Sequence, residues 1–194
     1  MRGDRELIQI VDTALAEAQR RSGDWLTCRL GCFQCCIGPF PITALDAIRL
    51  REGLAALQKT DPGRAGRVLA RARDSVARLR REFPDDPVAR VLEVDDAADD
   101  ELCPALDPAS GACDLYEARP ITCRTFGPAV RFAAEAETQA AGVCELCYAG
   151  ASEEQIAACA VEVDTRLESK LLRQLEKTGI HGETLVAFAL AEAS

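Results

Sequence analysis

Histidine is nearly absent from this chain: His181 is the only one in 194 residues, and it lies between Gly179 and Gly182, far in sequence from every cysteine. A zinc-hydrolase helix and a histidine-rich metal site need more than one imidazole, and no signature of a serine triad accompanies the single histidine. No glycine-rich phosphate loop or dinucleotide fingerprint occurs, which removes the usual nucleotide sites. No run approaches the roughly 20 apolar residues of a bilayer span. Excess positive charge is also missing: the formal net charge is -9. A dedicated nucleic-acid binder needs a basic field to displace counterions, so that class is not expected. The N-terminal stretch carries Asp4, Glu6, Asp12 and Glu17 and lacks the apolar run of an export signal. A soluble, cytoplasmic protein without a membrane partner is therefore expected.

Aromatics are sparse, with one Trp, two Tyr and six Phe, whereas Ala, Leu, Arg and Glu are plentiful. That mixture favours helices packed through aliphatic faces. The expectation is a mainly α fold, a helical scaffold around an irregular, cysteine-rich metal-binding core. The length fits one domain spanning residues 1–194.

What is abundant is cysteine, with ten in the chain. In a reducing compartment a disulfide framework is not sustained, and clustered thiols point to metal. Cys28, Cys32, Cys35 and Cys36 form C-x3-C-x2-C-C, four thiols within nine residues. In a helix they would share one face; in an extended backbone Cys35 and Cys36 would point to opposite sides and could serve two adjacent sites. Cys103, Cys113, Cys123, Cys144 and Cys147 are further candidate ligands. Soft thiolates select zinc, copper(I) or iron–sulfur clusters over magnesium and calcium. Nine thiols exceed one four-ligand site. Two adjacent mononuclear sites, or one multinuclear centre with spectator thiols, account for the surplus. Their combined negative charge calls for cationic neighbours, and Arg29, Arg119 and Arg124 each lie within four residues of a cysteine.

Around these segments the periodicity predicts helices. Leu7, Ile10, Val11, Ala14, Leu15 and Ala18 mark a helix over 4–21 that Ser22-Gly23 stops. Residues 25–41 read as a loop with at most a short helical turn. Thr43 caps a helix to about Gln58, and Asp61-Pro62 starts another to about Glu82. Its arginines, including Arg64, Arg67, Arg71 and Arg78, read as a solvated basic face, with docking of an acidic partner or of the chain's own segment 85–101 as the alternative. That segment holds eight acids against one base and reads as an exposed connector with a short helix over 88–94. Its carboxylates lack the ligand spacing of a calcium-binding hand. A small hairpin is expected around Ser110-Gly111. The capping box Ser152-Glu153-Glu154-Gln155 opens a long helix to about Lys177 that would bury Cys159 in the core, and a last helix runs over 183–193.

The run Cys28-x-x-Gly31-Cys32-x-x-Cys35-Cys36, then Cys103, then Cys113-Asp114-Leu115-Tyr116-Glu117-Ala118-Arg119-Pro120-x-x-Cys123-Arg124-x-Phe126, resembles the YkgJ-type cysteine-cluster family. The resemblance covers about residues 25–147 and leaves the flanking helices 4–21 and 152–193 outside. It implies a zinc- or iron-chelating domain ending in a further cysteine, for which Cys144 and Cys147 both qualify. A related signature occurs in a flagellin lysine methylase. The expected cofactor is an iron–sulfur cluster or iron, alternatively zinc. The expected function is metal binding, with a protein partner possible. The alternative is a metal-dependent redox or methyltransferase-like enzyme using the same centre. Two other readings lack their context: Cys144-x2-Cys147 has no strand–helix unit for a thioredoxin-like pair, and no alternating strands and helices surround Cys28-x3-Cys32-x2-Cys35 as a radical S-adenosylmethionine enzyme would need.

Overall fold

The computed structural model describes residues 3–29, 31–93, 98–132 and 143–192, which are mainly helical. Its contacts divide the chain into two compact units, Met1–Arg29 with Ile121–Ile180, and Leu30–Pro120 with His181–Ser194. All ten cysteines lie among the described residues, and no disulfide joins any of them.

In the first unit, helix α1 (Asp4–Ser22) buries Leu7, Val11, Leu15 and Ala18, the stripe that its periodicity predicts. Gly23 ends it with a positive φ. The short helix α5 (Ile121–Thr125) and strand β4 (Val130–Phe132) follow. The capping box at Ser152 forms as expected, with Ser152 Oγ accepting from Gln155 N and Gln155 Oε1 accepting from Ser152 N. The helix it opens is nevertheless short. Instead of running to Lys177, α6 (Glu153–Cys159) stops at Ala160, strand β5 (Val161–Val163) intervenes, and α7 (Arg166–Glu176) starts afresh. The cause is legible after the fact: Val161-Glu162-Val163 alternates apolar and polar, β-branched residues favour extended backbone, and β5 pairs in parallel with β4. Val161 and Val163 are buried and Glu162 is not.

The second unit is built on α2 (Ala44–Thr60), α3 (Pro62–Glu82) and α8 (Val186–Ala191). Thr43 Oγ1 accepts from Asp46 N and Asp61 Oδ1 from Arg64 N, so both predicted caps are present. Leu50, Leu54, Val68, Ala72 and Leu190 form the core between these helices. The last helix is shorter than expected, because Glu183–Thr184 (β6) pairs antiparallel with Ile42–Thr43 (β1) before α8 begins. Helix α4 (Pro87–Glu93) matches the short helix expected there; Val94 of that expectation, with Asp95 and Asp96 of the acidic connector, lies outside the described residues. The predicted hairpin is β2 (Leu106–Asp107) against β3 (Ala112–Cys113), in the register Leu106↔Cys113. Gly111 turns it with φ +67°, and a Cβ there would stand 3.1 Å from Gly31 Cα.

No helix among the described residues is long and apolar enough to cross a membrane.

Candidate metal centre

Within the second unit, local backbone geometry gathers thiols from three segments. A single 3-10 turn (Gln34–Cys36) closes with Cys36 N donating to Phe33 O. Cys103 N then donates to Cys36 O over 2.8 Å, and the flanking Gly38 N donates to Glu101 O. Leu106 N donates to Cys103 O, and the hairpin register sets Cys113 across from Leu106. Cys36, Cys103 and Cys113 are thus neighbours through the backbone. Cys35 Sγ lies 4.0 Å from Cys36 Sγ. Every pair within Cys35, Cys36, Cys103 and Cys113 interacts electrostatically.

That crowding separates their acidities. A hydrogen bond from Cys36 holds the Cys35 thiol down at about 6, with the Arg119 guanidinium adding to the effect. Cys36 is pushed strongly upward, first because its proton serves Cys35, then by burial and by its thiol neighbours. Burial drives Cys103 up to about 12 and raises Cys113 as well. Of this pair Cys35 is the more acidic, with the Cys36 thiol as its hydrogen-bond donor.

The first unit has its own group. Cys28 Sγ is 3.9 Å from Cys147 Sγ, and the Cys147 thiol hydrogen-bonds that of Cys144. Thr27 Oγ1 lies 3.7 Å from Cys147 Sγ and donates to Leu146 O. Gly127 gives Cys28 its room, because a Cβ there would stand 2.9 Å from Cys28 Sγ. Cys144 and Cys147 are buried beside Tyr148 and Cys159, while Cys28 is exposed. Tyr148 anchors this cluster: its hydroxyl contacts Ser22 Oγ at 2.6 Å and accepts from Ala129 N at 2.9 Å. Cys123 belongs to α5 of the same unit. The Cys159 thiol donates to Arg21 O.

The candidate cations take different positions. Arg119 lies over the Tyr116 ring, 3.5 Å from its centre, and acts on Cys35 and Cys113. Arg124 is buried and pairs with Asp12 of α1 at 2.7 Å. Arg29 is exposed. Cys32 is half-buried in the second unit.

Sequence reasoning missed Asp114. Its buried carboxylate pairs with Arg64 Nε through one oxygen and with Arg71 Nη2 through the other, at 2.6 Å for the latter, and Arg71 Nε also donates to Pro104 O at 2.9 Å. Arg78 pairs with Glu101 and lies 3.8 Å from Asp100. At Arg78 the alternative reading holds, with the chain's own acidic segment as the partner, and at Arg64 and Arg71 the expected solvated face gives way to pairs with Asp114. The available signal was the seven-residue spacing of Arg64, Arg71 and Arg78 together with an acid directly after Cys113.

The donor set suits a soft metal. A tetrahedral ion with metal–sulfur bonds of about 2.3 Å has sulfur–sulfur edges of about 3.8 Å. The Cys35–Cys36 and Cys28–Cys147 separations of 4.0 and 3.9 Å are close to such an edge. Among the described residues no group of three or more His, Cys, Asp or Glu side chains is already drawn together as a cage.

Helical supports around clustered thiols fit the class of metal-chelating proteins. Residues 27–148 match the CxxCxxCC family, described as "Putative zinc- or iron-chelating domain", and the chain belongs to that family. No curated protein and no solved structure matches it.

Proposed function

We propose that the chain binds zinc or iron, the latter as an ion or an iron–sulfur cluster, through cysteine thiolates drawn from Cys28, Cys32, Cys35, Cys36, Cys103, Cys113, Cys123, Cys144 and Cys147. The observation that carries this reading is the mutual proximity of Cys35, Cys36, Cys103 and Cys113, contributed by three separate segments. Four thiols that interact electrostatically without a disulfide repel once ionised, and a cation relieves that repulsion. Free thiolates so arranged would also be an oxidation liability. Metal binding couples to folding here, because the ligands sit on short turns rather than in long helices.

The test is anaerobic purification followed by elemental analysis and an absorption spectrum. A colourless protein with zinc supports a thiolate zinc site. A brown protein with iron and acid-labile sulfide supports a cluster. A reduced protein that carries no metal and takes up neither zinc nor iron refutes the proposal.

A further inference from the structure

We infer that the chain carries two separate thiolate centres, one within each compact unit: Cys35, Cys36, Cys103 and Cys113 in one, and Cys28, Cys144, Cys147 and Cys123 in the other. The inference deepens the metal-binding reading above and rests on it.

The nine candidate thiols divide by unit boundary. The boundary after Arg29 cuts the dense N-terminal cluster, leaving Cys28 with Cys123, Cys144 and Cys147, and Cys32, Cys35 and Cys36 with Cys103 and Cys113. In the second unit all four members of the quartet interact pairwise; Cys103 N donates directly to Cys36 O, and Leu106, which faces Cys113 in the hairpin, donates to Cys103 O. In the first, Cys147 contacts both Cys28 and Cys144, so three thiols already form a connected chain. Gly127 brings the turn after α5 against Cys28 Sγ, and Cys123, on that helix in the same unit, is the thiol we assign as the fourth ligand. One four-thiolate ion uses four cysteines, and nine exceed that need. Two such centres use eight. Cys159, whose thiol donates to Arg21 O, stays outside both, as does Cys32.

Cobalt(II) and zinc(II) serve as probes on the full-length, reduced, metal-free chain. Anaerobic cobalt titration should develop the thiolate charge-transfer band to an endpoint of two equivalents. Cys113→Ser and Cys147→Ser should each stop at one. Because either variant can fail to fold, the wild-type chain decides independently: native mass spectrometry resolves species with one and two zinc ions, and alkylation of the one-zinc species should protect thiols of a single quartet. An endpoint of one equivalent, loss of both equivalents in a folded single variant, or one zinc protecting thiols from both quartets overturns the two-centre inference and leaves metal binding intact. Absence of any thiolate band or zinc adduct overturns the metal-binding reading itself.

Discussion

Replacing Asp114 by asparagine tests whether ion pairs, rather than apolar packing, hold the Cys103–Cys113 hairpin. The side chain is 3% exposed, and its two oxygens serve two arginines of α3. Charge-assisted hydrogen bonds contribute about 1.5–3 kcal/mol each. The low end applies, because the Arg64 and Arg71 side chains are 39% and 25% exposed and regain water when released. Asparagine keeps one acceptor oxygen but presents an amide to the other guanidinium, so a net loss of about 2 kcal/mol is expected. In a chain of this length that lowers the Tm of the metal-free protein by about 4–8 °C. If the same free energy is what positions Cys103 and Cys113, cobalt(II) affinity falls by about 30-fold. Arg166→Gln is the control: its pair with Asp164 is on the surface, the arginine side chain 80% exposed, and its loss should change stability by less than about 0.5 kcal/mol. Differential scanning calorimetry and cobalt titration measure the two quantities. Asp114→Asn melting within about 1 °C of wild type, with affinity changed less than about threefold, would refute the reasoning.

In the metal-free reduced chain, iodoacetamide should modify Cys35 at a rate that rises through pH 6, since its thiol is lowered to about 6 and only the thiolate reacts. Cys103, raised to about 12, should remain slow across neutral pH; peptide mapping by mass spectrometry distinguishes them, and equal rates at both sites would contradict the assignment. Gly127→Ala places a methyl 2.9 Å from Cys28 Sγ at φ +118°, so Cys28 should swing away from Cys147 and cobalt uptake should drop by one equivalent, with a backbone cost of about 1–3 kcal/mol. Unchanged uptake would remove Cys28 from the ligand set. Tyr148→Phe leaves the Ala129 amide without its buried acceptor and should lower stability by about 1–3 kcal/mol in urea denaturation; a smaller loss would mean that water replaces the hydroxyl.

The helices of the second unit were legible because local chemistry and tertiary packing agree there. Thr43 and Asp61 cap α2 and α3, Pro62 stands at the start of α3, and Leu50, Leu54 and Val68 face one core. The failure at 152–177 has the opposite cause. The capping box correctly marks where α6 begins, but nothing local says that β4, some thirty residues earlier, offers Val161–Val163 a pairing partner. Strand pairing is non-local, so periodicity across Ile156, Cys159 and Val163 could be read as one helix. The division of the cysteines between the two units was not legible. Adjacent residues Cys28 and Arg29 belong to one unit and Cys32 to the other, a division that spacing along the chain does not express.

The α3 arginines show why the excess of acids was a poor guide to the local field. Arg64, Arg71 and Arg78 are spaced seven residues apart, about 10.5 Å between neighbours along a helix. Glu101, two residues before Cys103, is fastened to the Arg78 level, and Asp114, directly after Cys113, to the levels of Arg71 and Arg64. The segment between them contains Pro104, Pro108, Ser110 and Gly111 and buries few large side chains, so apolar packing alone cannot fix where its thiols stand. Ion pairs to a rigid helix supply that placement at both ends. Pairing gives Glu101 and Asp114 cationic partners, while the Asp114 carboxylate still acts to raise the Cys113 thiol. Arg71 serves Asp114 and Pro104 O at once through different nitrogens, a geometry that the single ammonium of lysine does not reproduce. The arginines of α3 thus act on the candidate centre indirectly, by fixing the loop that presents its cysteines.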